Sequence, residues 1–374
     1  MVNILIAGYH GFGNCGDEAI LKAMSADFRK LGDDISITAL SRDPDFTRKE
    51  YNINSVQRFD VKAALKAVKK CDILVLGGGT LLQDRTSTRS ILYYLGLLKA
   101  ACIFGKKVML YANGIGPVNG TFNRLLTRRI LRKVHRITLR EKLSYSDLMN
   151  IGVKNDHITV TADAAFMLRP ADADASLKLL EEAGAAPAEG SPLVGVAVRA
   201  WSRARYGEDY YRKIALACDE MAEKGCRIMF VPMQYPDDLK VSEKIRTMMK
   251  QEAVIIDQRL KPEEIMGIIG HCSLMLSMRL HALIFAAIQN VPMAGIIYDP
   301  KIDYYLKELD MPSCGDVRKD RISSGTIVSV LENLMENRES FRQTLAQRVE
   351  IMASRAEEND IILSELMDEV RKKQ

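Results

Sequence analysis

The sequence predicts an α/β protein made of two Rossmann-like, doubly wound halves whose strand ends face a cleft. Three observations carry this. Short apolar runs alternate with helix-periodic segments along most of the 374 residues, the pattern of parallel sheets covered on both faces. Glycine-rich loops, each with a polar residue, follow three of the apolar runs in the first half, at the sheet edge where such folds bind ligands. A stretch rich in Ala, Asp, Glu, Gly and Pro then separates two lengths of chain that each suffice for a domain. The expected boundaries are 1–183 for the first domain, 184–192 for a linker, 193–339 for the second domain and 340–374 for a helix that packs back toward the first.

Composition limits the classes of function. With 47% hydrophobic and 27% charged residues the chain reads as a soluble globular protein. No apolar run reaches the roughly 18 residues of a spanning helix. Residues 2–8 are apolar, but no basic segment precedes them and no small-residue cleavage site follows, so they read as a first strand and the expected location is the cytoplasm. The seven cysteines are odd in number and scattered without a C-x-x-C pair, which argues for free thiols and against a zinc site. Cys15 reads as a thiol tolerated in a tight turn rather than a nucleophile. A net charge of +5 is too mild to imply nucleic-acid binding. Its distribution says more: from Thr121 to Arg140 there are seven Lys and Arg and no acidic residue.

In chain order, Val2–Gly8 is an apolar strand running into Gly8-Tyr9-His10-Gly11-Phe12-Gly13-Asn14-Cys15-Gly16-Asp17-Glu18. The glycines let the backbone turn and approach a ligand, and Asp17 is placed to cap a helix from about Glu18. Asn14, Asp17 and Glu18 then read either as hydrogen-bonding groups for hydroxyls or as a cap and packing turn. Ile35–Leu40 is a strand and Val61–Lys70 a helix. Asp72–Leu76 leads into Gly77-Gly78-Gly79-Thr80 with Gln83 and Asp84 behind it, and Lys107–Ala112 ends in Asn113-Gly114-Ile115-Gly116-Pro117. Three such loops on one edge favour a binding cleft. The basic stretch has Phe122, Leu125, Leu126, Ile130 and Val134 at helical spacing, leaving Arg128, Arg129 and Arg132 either as a solvated face or as a grip on a lipid headgroup or diphosphate. Arg140 follows a late strand as an inward cation or as a partner of Glu141 or Asp163.

The second half opens with Leu193–Val198 and Arg199-Ala200-Trp201-Ser202, then a strand ending before Gln234. Ser273–Met278 is a buried strand and Ala282–Ile288 a small-residue helix, so Arg279 and His281 sit at a strand's carboxyl end, beside free helix N–H groups that favour an anion. Val291–Tyr298 delivers Lys301 to the same edge. Two cations and an imidazole there suit a small polyanion, and the glycine loops of the first half suit a neutral polyol. No cluster of His, Cys and carboxylates suggests a metal.

Arg279-Leu280-His281-Ala282-Leu283-Ile284-Phe285-Ala286, with Gly13-Asn14-Cys15-Gly16-Asp17-Glu18-Ala19, Gly77-Gly78-Gly79-Thr80 and Asn113-Gly114-Ile115-Gly116-Pro117, resembles the polysaccharide pyruvyl transferase family. The likeness is greatest to the bacterial enzymes that pyruvylate the secondary cell-wall polymer anchoring S-layer proteins. The resemblance covers residues 1 to about 310. It implies a GT-B-like fold, phosphoenolpyruvate as donor substrate with no cofactor, and a 4,6-linked pyruvate ketal formed on N-acetylmannosamine of a lipid-diphosphate-linked disaccharide. It places His281 and Lys301 at the donor. With the basic stretch read as a grip on lipid, the expected position is peripheral, at the inner face of the cytoplasmic membrane.

On this reading His281 is the general acid or phosphate holder, and Asp17, Glu18 or Asp84 accepts hydroxyl protons. Arg279, Lys301, Arg199 and Gln234 bind the donor. Asn14, Gly78, Gly79, Thr80, Asp84, Asn113 and Arg140 bind the acceptor, and Arg128, Arg129 and Arg132 contact lipid or diphosphate. The rivals are a GT-B glycosyltransferase using a nucleotide sugar, and a non-catalytic polyanion-binding protein recruited to membranes.

Overall fold

The computed structural model describes residues 1–85, 87–201 and 209–372. Ser202 of the loop named above and residues 373–374 of the expected C-terminal helix lie outside them. The chain divides into two compact units, one of Met1–Leu168 with the chain from Met352 onward, the other Arg169–Ile351.

The first unit runs β1 (Val2–His10), α1 (Cys15–Lys30), β2 (Ile35–Ser41), α2 (Pro44–Tyr51), β3 (Asn54–Gln57), α3 (Val61–Lys70), β4 (Ile73–Gly77), α4 (Thr88–Ile103), β5 (Lys107–Asn113), α5 (Thr121–Leu131), β6 (Arg136–Leu139), α6 (Lys142–Ile151) and β7 (Ile158–Val160). All its strands are parallel, in the order β3-β2-β1-β4-β5-β6-β7. Alternate residues divide the two faces of this sheet. Leu5, Leu74, Val108, Leu110 and Ile137 join the core beneath α3, α4, α5 and α6. Tyr111, the neighbour of Leu110, points the other way, packing edge-on to Phe28 of α1 and donating from its hydroxyl to Asp360 at 2.6 Å.

The second unit runs α7 (Ala173–Glu182), β8 (Leu193–Ala197), α8 (Asp209–Glu223), β9 (Arg227–Phe230), α9 (Asp237–Met248), β10 (Ala253–Ile255), α10 (Pro262–Gly270), β11 (Leu274–Ser277), α11 (Leu280–Ile288), β12 (Met293–Ile297), α12 (Pro300–Leu309), β13 (Ser313–Asp316), β14 (Arg321–Ile322) and α13 (Ser324–Glu336). Its sheet repeats the first design in the order β10-β9-β8-β11-β12-β13-β14, with only β14 antiparallel. The long α14 (Arg338–Arg371) begins in this unit and ends in the other. There it is tied by Lys107 and Arg136 to Glu369 and by Asn359 to Thr161 and Ala162.

The expected division at 184–192 is corrected. It falls between Leu168 and Arg169, because α7 packs on α10: Ser176 fills the space over Gly267, whose missing Cβ would lie 2.0 Å from the Ser176 hydroxyl. The first helix is also capped differently. Asn14, in extended backbone, accepts from the amides of Gly16 and Asp17, so α1 starts at Cys15 and Asp17 lies in its first turn. Among the described residues no helix is long and apolar enough to cross a membrane.

Candidate functional site

In each sheet the strand order reverses once, between β1 and β4 and between β8 and β11. At such a point the connections leave in opposite directions and open a crevice beyond the carboxyl ends of the strands.

In the second unit Arg199 follows β8, Arg279 follows β11, His281 lies in the first turn of α11 and Lys301 in the first turn of α12. β11 and β12 are paired neighbours, so one edge gathers all four. Asp299 caps α12, accepting from the Lys301 amide at 3.0 Å, and Pro300 supplies the helical φ of the first position. Arg199 lies with its guanidinium 4.6 Å from the centre of the Tyr298 ring and donates to the Tyr298 hydroxyl at 3.0 Å. The Trp201 ring stands 5.4 Å from that of Tyr298.

Arg279 is not the uncompensated cation expected from the sequence. Its Nε donates to Asp238 Oδ2 at 2.8 Å, and its Nη2 donates to Asp238 Oδ1 and to Gln234 Oε1, the latter at 3.2 Å. Asp238 also accepts from the amides of Met233 and Gln234, so the β9–α9 loop and the guanidinium are set by one buried carboxylate. The remaining amino group, Nη1, stands outside this network. Gln234, expected at the donor, thus contacts Arg279.

In the first unit the crevice lies between the β1 loop and Gly78-Gly79-Thr80. Both glycines have positive φ, and each missing side chain makes room for a neighbour. A Cβ on Gly78 would meet Ile20 at 2.3 Å, and one on Gly79 would meet the Asp17 carboxylate at 2.8 Å. Asp17, half-buried, is thus held at the mouth of the β4 loop. Arg140 donates to Thr80 Oγ1 at 3.3 Å.

Four expected acceptor or catalytic residues are held by contacts within the protein. Glu18 is 4% exposed; its two oxygens accept from the Gly11 amide and the Tyr51 hydroxyl, both at 2.7 Å. Asp84 accepts from the Asn119 and Gly120 amides and the Asn123 side chain. Its partial burial raises its pKa, but these donors outweigh that and hold it below the usual carboxylate range. Asn113, fully buried, donates to Leu76 O at 2.5 Å and Tyr111 O at 3.0 Å, joining the ends of β4 and β5. Arg140 is 4% exposed between the buried carboxylates of Glu141 and Asp163, at 3.0 and 2.6 Å. Its Nη2 is the group that reaches Thr80.

The sequence reading missed Asp238, Tyr298, His10 and Arg58. His10 ends β1 and is 1% exposed; burial, reinforced by the Arg58 charge, pushes its pKa down to about 3, so the imidazole is neutral. Arg58, after β3, donates to Gly8 O at 2.8 Å and Tyr94 Oη at 3.2 Å. Its guanidinium lies 4.8–5.5 Å from the rings of Phe12, Phe59, Tyr93 and Tyr94. A fixed positive charge thus underlies the glycine loop. The aromatic pair Tyr93-Tyr94 was its only sequence signal.

On α5, Arg129 is exposed and Arg128 is half-buried, near Gly152, and Arg132, just past the helix end, is exposed. Phe122, expected on the apolar inner face, is 66% exposed.

Solved structures share this architecture along their whole length. A putative UDP-N-acetylglucosamine 2-epimerase from Listeria monocytogenes superposes with a TM-score of 0.68 at 12% identity, covering 99% of this chain and 98% of the other. Alr3699/HepE from Anabaena, determined with UDP-glucose, gives 0.66 at 11% identity over 99% and 100%. A glycosyltransferase from Rickettsia africae gives 0.65 at 10% identity over 100% of both chains. At such identities the likeness is one of fold, and the fold is GT-B-like. In sequence, the amylovoran biosynthesis protein AmsJ of Erwinia amylovora is 21% identical over 404 residues, covering 93% of this chain and 96% of AmsJ. A family model described as polysaccharide pyruvyl transferase matches residues 14–300.

Proposed function

The chain belongs to the polysaccharide pyruvyl transferase family, and from that premise we propose that it forms a 4,6-linked pyruvate ketal from phosphoenolpyruvate on N-acetylmannosamine of a lipid-diphosphate-linked cell-wall glycan, releasing phosphate. The observation that carries the donor assignment is the gathering of Arg199, Arg279, His281 and Lys301 on the edge formed by β8, β11 and β12. Phosphoenolpyruvate carries its carboxylate and its phosphate ester on the same carbon, C2, and those side chains, with two helix N-termini, supply the matching donors.

The reaction then assigns roles. His281 delivers a proton to the methylene carbon, and the positive charge that develops at C2 is met by one sugar hydroxyl. Phosphate leaves C2 toward Lys301 and Arg199, and the second hydroxyl closes the ketal. One hydroxyl proton restores the acid and the other departs with phosphate, so protons balance. Asp17 takes the first hydroxyl proton and passes it on to the departing phosphate, and the second hydroxyl proton restores His281. Thr80, aimed by Arg140, with Asn14 and the Gly78-Gly79 backbone, holds the sugar. The Arg279 Nη1 group grips the donor carboxylate, its direction fixed by Asp238.

Arg128, Arg129 and Arg132 face the diphosphate or headgroup, with the protein peripheral at the inner face of the cytoplasmic membrane. The test is inorganic-phosphate release with phosphoenolpyruvate and a synthetic lipid-diphosphate disaccharide ending in N-acetylmannosamine. Release in step with a ketal-bearing product is expected. No release, with turnover of a nucleotide sugar by the same preparation, would replace this reading with a glycosyltransferase.

A further inference from the structure

The helices α3, α4, α5 and α6 pack side by side as one layer over a common core on one face of the first unit's sheet. Their sequences carry ten Lys and Arg and a single acidic residue, Asp147. Lys62, Lys66, Lys69 and Lys70 of α3, Arg89 and Lys99 of α4 and Arg129 of α5 are exposed. The other face has the opposite character: the part of α14 that packs there, from Met352, holds six carboxylates and two arginines. The first unit is therefore electrically polarised across its sheet, although the net charge of the whole chain is small.

The same basic layer exposes large apolar side chains. Leu65, Leu92, Ile103, Phe104, Phe122 and Tyr145 all lie on it, with Ile103 70% and Phe122 66% exposed. On α4, Arg89, Leu92, Lys99 and Ile103 recur at helical spacing along one outer stripe. Their concentration on one layer, rather than single exposure, is what a solvated face does not require, and a nucleic acid would use the cations without rewarding the aliphatic ones. An anionic bilayer rewards both, because the apolar groups enter the acyl boundary while the Lys and Arg heads remain with phosphate.

We infer that the α3–α6 layer is the surface by which the first unit rests on an anionic lipid bilayer, with α3 and α4 taking part alongside the arginines of α5. The inference deepens the lipid-linked acceptor reading, which supplies its purpose, but its test requires no acceptor. The purified full chain is sedimented with vesicles of phosphatidylcholine alone and of phosphatidylcholine with phosphatidylglycerol. Binding to the anionic vesicles only, weakening as salt is raised, is expected.

Lys62→Gln with Lys66→Gln should weaken that binding about 30-fold, each cation near the surface contributing roughly fivefold. Ile103→Ser should weaken it as well, without a change in melting temperature. Lys240→Gln with Lys307→Gln, exposed in the second unit and removing the same charge, should leave it intact. Absence of vesicle binding, equal loss in the second-unit variant, or full binding by Ile103→Ser would overturn the inference. Vesicle binding as expected but no phosphate release with any acceptor would fault the proposed reaction and leave this surface standing.

Discussion

Asp238 grips the Arg279 guanidinium at both Nε and Nη2, and the pair is nearly sealed, with side chains 2% and 10% exposed. A buried pair broken from one side leaves an uncompensated charge, which typically costs about 3–5 kcal/mol. Asp238→Ala also strands the Met233 and Gln234 amides, so it should lower the melting temperature by several degrees. Asp238→Asn keeps size and one acceptor while losing the charge. It should fold, yet let Arg279 swing and lower kcat/KM for phosphoenolpyruvate by about 100-fold. Steady-state kinetics beside thermal melts separates the two, and an Asp238→Asn enzyme with unaltered kcat/KM would remove Asp238 from donor positioning.

His281→Gln should fold as the parent does, since the residue is only half-buried in the first turn of α11, and should lose phosphate release by about 100- to 10,000-fold, the span of a positioned acid. Lys301→Ala, by contrast, should act on binding. Loss of one charge-assisted contact of about 1.5–3 kcal/mol weakens phosphoenolpyruvate about 10- to 150-fold by calorimetry and leaves acceptor affinity unchanged. Equal weakening of both substrates would contradict its place at the donor.

These two residues were legible from the sequence for a simple physical reason. Parallel strands buried on both faces are continuous apolar runs, so the polar residues in the first few positions after Leu274–Ser277 and Met293–Ile297, His281 and Lys301 among them, had to stand at the sheet's carboxyl edge. The α3 helix was equally plain from its apolar spacing. What could not be read was who neutralises whom. Arg279 and Asp238 are 41 positions apart and Glu18 and Tyr51 are 33 apart, so a local reading left Arg279 as an open cation and Glu18 as an available base. The edge strand β3, Asn54-Ser55-Val56-Gln57, has too little apolar character to announce itself, and with it went Arg58. Composition misled over which domain owns α7: the Gly- and Pro-rich run after it looks like the boundary, yet Ser176 of α7 meets Gly267 of the second unit.

The adjacent acids Asp17 and Glu18 should separate cleanly on mutation. Asp17→Asn keeps the first turn of α1 and should cost turnover, about 100-fold or more, with little change in melting temperature. Glu18→Gln replaces one acceptor for the Gly11 amide and Tyr51 hydroxyl by a donor in a buried site, and should cost about 1–3 kcal/mol of stability instead. Urea melts and phosphate-release rates on both variants decide it. A stable, inactive Glu18→Gln enzyme would return Glu18 to the catalytic machinery.

The hold of α14 on the first unit should weaken as pH rises, because of Asp360. Burial of its carboxyl, only partly offset by the hydrogen bond from Tyr111 and reinforced by the nearby charge of Asp27, raises its pKa from 3.8 to about 7, with Lys30 opposing and Glu357 adding to the effect. In the folded chain the group therefore keeps a proton that the unfolded chain gives up. Below pH 3.8 both states are protonated and there is no penalty; from there to about 7 the unfolded state binds fewer protons, so this carboxyl's contribution to stability falls as pH rises, and above 7 the loss is complete. Asp360→Asn keeps an oxygen for the Tyr111 hydroxyl and cannot ionise. It should raise stability at pH 8 by about 1–2 kcal/mol, after allowance for the solvent that reaches this half-buried site, and change little at pH 4. Thermal melts of both proteins across that range read the difference directly. A gain that is constant with pH would show that packing rather than ionisation of Asp360 is responsible.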